Sequence, residues 1–78
     1  MAQLTPRAQK DLLGLPEALQ AKARTLIKRL DEDPATGKKL LGKLQGLRSA
    51  HLGRTHRVIY RDDPVLVLAI PNRRDAYR

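Results

Sequence analysis

The chain has 78 residues, with 16 lysines and arginines against 8 acids, a formal charge of +8, and no cysteine. That length allows one domain with a small core, near the size at which apolar burial only just offsets chain entropy; the lack of cysteine excludes disulfides and thiolate metal sites, and two histidines alone give little from which to build a zinc site. No apolar run reaches the roughly 18 residues that span a bilayer, and the opening MAQLTPRAQK lacks the apolar stretch of a signal peptide, so the expectation is a soluble cytoplasmic protein with no membrane partner and no cofactor.

Residues 2–4 can make only a minimal strand. Thr5-Pro6 then opens a helix, because threonine caps free amides and proline suits the first helical position, where its missing N–H costs nothing; the helix is predicted over 6–13. Gly14 breaks it and Leu15-Pro16 restarts the pattern. Leu19, Ala23, Leu26, Ile27 and Leu30 fall at helical spacing, with Gln20, Lys22, Arg24, Lys28 and Arg29 on the opposite side. Pro34 disfavours helical geometry in the residue before it, which ends this second helix at 31–33. Two helices joined by a tight break form a hairpin whose apolar stripe needs a sheet to cover.

Residues 35–46 contain three glycines and are read as an ordered loop anchored by Leu40, Leu41 and Leu44. A strand over 48–52, a turn at Gly53-Arg54 and a return strand over 55–61 make a hairpin whose register the sequence leaves open. On the return strand His56, Val58 and Tyr60 point one way and Arg57, Ile59 and Arg61 the other, which makes Tyr60 a core residue. Asp62-Asp63-Pro64 is turn chemistry, with Arg61 beside the two acids as a turn-stabilising ion pair. VLVLAI at 65–70 has no polar residue, as expected of a strand buried on both faces in the middle of a sheet. The fold class is α+β: an N-terminal two-helix hairpin packed on a small, mainly antiparallel β-sheet.

Residues 34–61 hold no acid, yet carry Lys38, Lys39, Lys43, Arg48, Arg54, Arg57 and Arg61 together with His51 and His56. Such a segment attracts phosphates or an acidic protein. The plain alternative is a solvated basic face, and the lack of any counter-charge weighs against it. Arg57 stands out, because its strand lies between two predicted strands and a charge there needs a reason.

The order TPRAQKDLLGLP, a helix ending DEDP, then KLLGKLQGLRSAHLGRTHRVIYRDD, an apolar strand and NRRDAYR resembles the RelE/ParE superfamily of bacterial and archaeal toxins of type II toxin–antitoxin systems, and the RelE-like branch in particular. The resemblance covers essentially the whole chain. Its most specific parts are HRVIY at 56–60 and NRRDAY at 72–77, where members of that branch carry a strand arginine and a final basic-tyrosine motif. It implies a RelE-like fold and cleavage of mRNA, often in the ribosomal A site. It also implies a cognate acidic antitoxin that holds the toxin in check, with DNA met only through the antitoxin. Asn72 stands where many relatives have His, and the hairpin lacks a pair of lysines found in some active members.

Metal-independent RNA cleavage by in-line attack of the 2′-OH needs a base for its proton, cations for the developing phosphorane charge and an acid for the leaving 5′-oxygen. Arginine suits the second role, since its guanidinium binds two phosphate oxygens at once and stays charged. Arg57 and Arg73 are the candidates, with Arg74 a neighbour able to exchange roles. Tyr77 matches the family tyrosine and either stacks on a base or takes part in proton transfer. His51 is the base candidate by chemistry, as histidine titrates nearest neutrality, although a histidine in a hairpin is more often a plain surface residue. Arg48 is expected as a phosphate anchor, and Arg54, Arg74, Lys38, Lys39 and Lys43 as further RNA contacts. Two other readings stay open: a ParE-like toxin, which inhibits DNA gyrase by binding and needs no nuclease residues, and a basic RNA-binding module without activity. The second is weakened by the presence of only two aromatic residues, far fewer than stacking platforms use.

Overall fold

The computed structural model describes residues 3–40, 46–62 and 64–72. In chain order these give strand β1 (Gln3–Leu4), helices α1 (Pro6–Leu13) and α2 (Glu17–Glu32), a single 3-10 turn (Pro34–Thr36), and strands β2 (Lys38–Lys39), β3 (Arg48–Leu52), β4 (His56–Asp62) and β5 (Val65–Ala69). The five strands form one sheet in the order β1-β5-β4-β3-β2, in which β1 and β5 run parallel and the other neighbours antiparallel. The α+β expectation, a helical hairpin on a mainly antiparallel sheet, is met.

Thr5 caps α1 by accepting from the Ala8 amide at 3.1 Å, with Pro6 at the first helical position. Gln20, expected on the solvated side of α2, reaches back and donates to the carbonyls of Leu15 at 2.9 Å and Leu13 at 3.2 Å, which fixes the break between the helices. The apolar stripe of α2 buries Ala23, Ile27 and Leu30, and with Ala8 and Leu12 of α1 it covers one face of the sheet at Ala50, Leu52, Val58, Tyr60, Val65, Val67 and Ile70.

Three expectations need correction. The segment 35–46 is not all loop: Lys38–Lys39 pairs with β3 as an edge strand, while residues 41–45, including Leu41 and Leu44, lie outside the described residues. The apolar run at 65–70 is not buried on both faces, for Val65, Val67 and Ile70 are buried but Leu66, Leu68 and Ala69 only partly so. The helices cover one face alone. Finally, Asp62 pairs with Arg48 and not with Arg61, and Asp63 lies outside the described residues.

A bulge interrupts the β4–β5 ladder, since Ile59 pairs with Ala69 and Tyr60 with Val67, leaving Leu68 as an extra residue. It moves Ile70 back to the helical side. Two backbone groups beside it are met from the helical side: Thr5 Oγ1 donates to the Leu68 carbonyl at 2.8 Å, and Asp11 Oδ2 accepts from the Ile70 amide at 3.0 Å. Unmet, such groups would each cost on the order of 1–3 kcal/mol.

Candidate nucleic-acid interface

Cross-strand register decides which basic residues share a face. Arg48 pairs with Tyr60, Ala50 with Val58 and Leu52 with His56, so these belong to the helix-covered side. Ser49 pairs with Ile59 and His51 with Arg57, so these belong to the far face. Lys38, opposite Ser49, and Arg61, in phase with Arg57 and Ile59, extend that face at either side, both exposed.

The pair at the hairpin end is His51 and Arg57. Gly53 takes the left-handed conformation at φ 62°, which only glycine adopts freely; the turn it makes sets the two residues directly opposite. Arg57 Nη1 donates to the imidazole, 2.8 Å from Nε2 and also in contact with Nδ1. A guanidinium has no lone pair. The ring must therefore present an acceptor to it. Arg57 Nε is enclosed and has no hydrogen-bond partner among the described residues. The Arg57 amide donates to the Pro71 carbonyl at 3.0 Å, and Asn72 bridges His56, so the chain leaving β5 runs alongside this pair. Asp11, through Ile70, holds the start of that exit. Nothing in the sequence pairs Asp11 with Ile70, 59 residues apart.

Arg48 stands apart, on the other face. Its Nε donates to Asp62 Oδ2 at 2.5 Å and its Nη1 to the Gly37 carbonyl at 3.0 Å. The guanidinium expected to anchor a phosphate is thus engaged within the fold. Arg48 holds the Asp62 carboxyl below the usual carboxylate range, chiefly through that hydrogen bond, and Lys39 adds to the effect. Beside it, the buried Tyr60 hydroxyl donates to the Pro34 carbonyl at 2.7 Å and accepts from the Gly37 amide at 2.8 Å. Burial raises the Tyr60 hydroxyl above the ordinary phenol value, while the Gly37 hydrogen bond opposes it. Gly37 is needed for this approach: a Cβ there would lie 2.7 Å from Tyr60 Oη and 2.9 Å from the Ser49 carbonyl oxygen.

Among the other candidates, Lys38 and Lys39 are exposed on the edge strand and Arg54 is exposed in the hairpin turn. Lys43, Arg73, Arg74 and Tyr77 lie outside the described residues. Among the described residues no group of three His, Asp or Glu side chains is placed to hold a metal ion, and no helix is long and apolar enough to cross a membrane.

A family model for the ParE toxin of type II toxin–antitoxin systems matches residues 2–77. Among solved structures, a chain of the RelBE2 toxin–antitoxin complex from Mycobacterium tuberculosis is 32% identical, with 94% of this chain and 96% of that one covered and a TM-score of 0.82. A chain of the YoeB-YefM complex from Staphylococcus aureus is 21% identical over 90% of this chain and 92% of that one, with a TM-score of 0.75. YafQ from E. coli strain BL21(DE3) is 16% identical over 100% and 98%, with a TM-score of 0.80. These last two show the shared fold alone. No curated protein matches the sequence. With its helical hairpin on a five-stranded sheet, the chain belongs to the RelE/ParE superfamily of type II toxin–antitoxin toxins.

Proposed function

We propose that this toxin is a metal-independent mRNA endoribonuclease that blocks translation in the cytoplasm, acting at the ribosome and neutralised by a cognate acidic antitoxin. The observation that carries this reading is Arg57. It is half-buried on a central strand, and among the described residues no carboxylate matches its charge and no group accepts from its Nε. A scissile phosphate supplies what such a group lacks, because an arginine beside it stabilises the charge that builds on the phosphorane oxygens. Arg73 follows directly on Asn72, which bridges the residue before Arg57, and with Tyr77 it completes the proposed site. Arg74, its neighbour in sequence, is able to exchange roles with it. Lys38, Lys39, Lys43 and Arg54 supply sequence-independent attraction for the RNA backbone.

Neutralisation rests on charge and on the relatives. The chain carries +8, and the similar RelBE2 structure is a toxin–antitoxin complex. A partner that binds only the folded toxin would also stabilise it.

The test is cleavage of translated mRNA, mapped by primer extension, for the wild type, Arg57→Ala, Arg73→Ala and Tyr77→Phe. The wild type should cleave, and each arginine variant should cleave at least about a hundredfold more slowly. Tyr77→Phe keeps the ring and removes the hydroxyl, so it separates stacking from proton transfer. A second reading is favoured by the description of the matching family, the ParE toxin: binding and inhibition of DNA gyrase. Growth arrest with intact mRNA and impaired supercoiling would replace the nuclease reading with that one.

A further inference from the structure

Asp11 sits where local rules disfavour it. It is in the last turn of α1, where a carboxylate meets the negative end of the helix dipole, and aspartate is a poor helix former. Its pair with Arg7, one turn back at 3.8 Å and 72% exposed, is an open surface contact of small worth. Asp11 is matched by a distant group instead: its Oδ2 accepts from the Ile70 amide at 3.0 Å. From that point the chain is held at three successive residues. Asp11 takes the Ile70 amide, the Pro71 carbonyl accepts from the Arg57 amide at 3.0 Å, and Asn72 bridges His56. Pro71, between two of these fixed points, has its φ locked by its ring and no N–H to pair elsewhere. A direction set at Ile70 is therefore passed to the Arg57 backbone with little freedom in between.

We infer that Asp11 is a positioning residue: by accepting from the Ile70 amide it fixes the line on which the chain leaves β5 beside Arg57, and with it the point from which Arg73, next after Asn72, joins the proposed site. The helices cover the face of the sheet opposite the Arg57 side chain, so Asp11 acts on this site through the backbone and touches no substrate. Thr5 already holds the Leu68 carbonyl at 2.8 Å, which anchors the strand itself. Asp11 adds a second hold two residues on, at the end of the strand, and what it contributes there is the direction of exit. The link to Arg73 rests on the ribonuclease reading, while the hold on the Arg57 backbone is independent of it.

The first arm of the experiment needs no RNA. Amide hydrogen exchange is followed by NMR in the full chain for the wild type, Asp11→Asn and Asp11→Ala, comparing the Arg57 amide, bonded to Pro71, with the Thr5 amide, bonded to Val67 within β5. Asparagine keeps a neutral acceptor and alanine none. Relative to Thr5, the Arg57 amide should exchange at least about tenfold faster in Asp11→Ala and stay within about threefold of the wild type in Asp11→Asn, the scale of losing a hydrogen bond to a charged group and of replacing it by a neutral one. Unchanged protection of Arg57 in Asp11→Ala overturns the inference. So does an equal loss at Thr5, which would make Asp11 a support of the whole strand, or an Asp11→Asn variant no better than Asp11→Ala. The second arm measures RNA cleavage per folded molecule, with Tyr60→Phe, which loses bonds to Pro34 and Gly37 instead, as the destabilised control. Asp11→Ala should lower kcat at least about tenfold with KM nearly unchanged, as a misplaced group does, and Asp11→Asn should restore most of it. An equal fall in Tyr60→Phe shows that activity follows stability alone and overturns the positioning role, as does full cleavage by Asp11→Ala. If exchange behaves as expected while the wild type cleaves no RNA, the hold on Arg57 stands and the ribonuclease reading falls.

Discussion

The β3–β4 ladder carries an arginine on each face, and the fold treats them in opposite ways. Arg48, with a side chain 15% exposed, spends its donors on the Asp62 carboxylate and the Gly37 carbonyl. Arg57 spends Nη1 on the His51 ring and keeps Nε without a partner among the described residues. A carboxylate cancels most of the field of the cation it binds; an imidazole does not. Arg48 therefore ties Gly37, β3 and the end of β4 together, while the charge of Arg57 meets no carboxylate among the described residues. Residue type and strand position are alike in the two. What separates them is the partner.

Removing each arginine in turn is the most direct way to break this contrast. Arg57→Ala should slow RNA cleavage at least about a hundredfold, corresponding to about 2.7–4 kcal/mol of transition-state stabilisation, with an unfolding midpoint near that of the wild type. Around Arg48 the effects should fall on stability instead. Tyr60→Phe strands the Gly37 amide and the Pro34 carbonyl, and Gly37→Ala pushes a methyl into the Tyr60 hydroxyl. Urea unfolding should show each costing about 1–3 kcal/mol, with cleavage per folded molecule unchanged. Arg48→Ala should cost somewhat less, about 1–2 kcal/mol, because its Asp62 partner is partly open to solvent. The contrast fails if Arg48→Ala abolishes cleavage while leaving the urea midpoint alone.

The smallest effect sharpens the comparison through pH. The folded Asp62 carboxyl titrates below its ordinary value because Arg48 donates to it. A group whose pKa is lower when folded stabilises the fold above its unfolded value, near 3.9 for aspartate, and loses that contribution as the pH drops through the folded one. The urea midpoint of the wild type should therefore decline below about pH 4, and Asp62→Asn should decline less. No such difference is expected for variants at Arg57, which has no carboxylate among its hydrogen-bond partners in the described residues.

Much of this was readable from residue order, because it follows from local rules. Thr5-Pro6 marks a helix start by capping chemistry, Pro34 an end by sterics, and the alternation from His56 to Arg61 puts Tyr60 in the core and Arg57 on the other face. What could not be read depends on register and on contacts distant in sequence. Whether Asp62 serves Arg61 or Arg48 is decided by a strand pairing that residue identities alone do not fix. The His51–Arg57 contact has the same origin, since a shift of one residue in the hairpin would place them on opposite faces. The segment after Pro34 looked like loop because its glycines are poor strand formers, yet Gly37 is there for the close approach of Tyr60. The apolar run after Pro64 suggested burial on both faces, and half of its side chains are only partly covered because both helices lie on one side.

The position of β5 has a consequence for the order in which the molecule can form. It follows the other four strands in sequence, yet it lies between β1 and β4 and joins the first strand to the fourth, with the Thr5 amide bonded to the Val67 carbonyl at 2.9 Å and the Thr5 hydroxyl to the Leu68 carbonyl. Closing that connection spans most of the sequence, and contacts of such separation are the slow ones in folding, because loop entropy is lost before they can reward it. On a growing polypeptide the helical hairpin and the β3–β4 ribbon can form early, but a two-stranded ribbon is marginal by itself. The sheet that sets Arg57 in place is complete only once β5 has been synthesised, so a chain that has reached only β4 carries the basic segment without the folded surface.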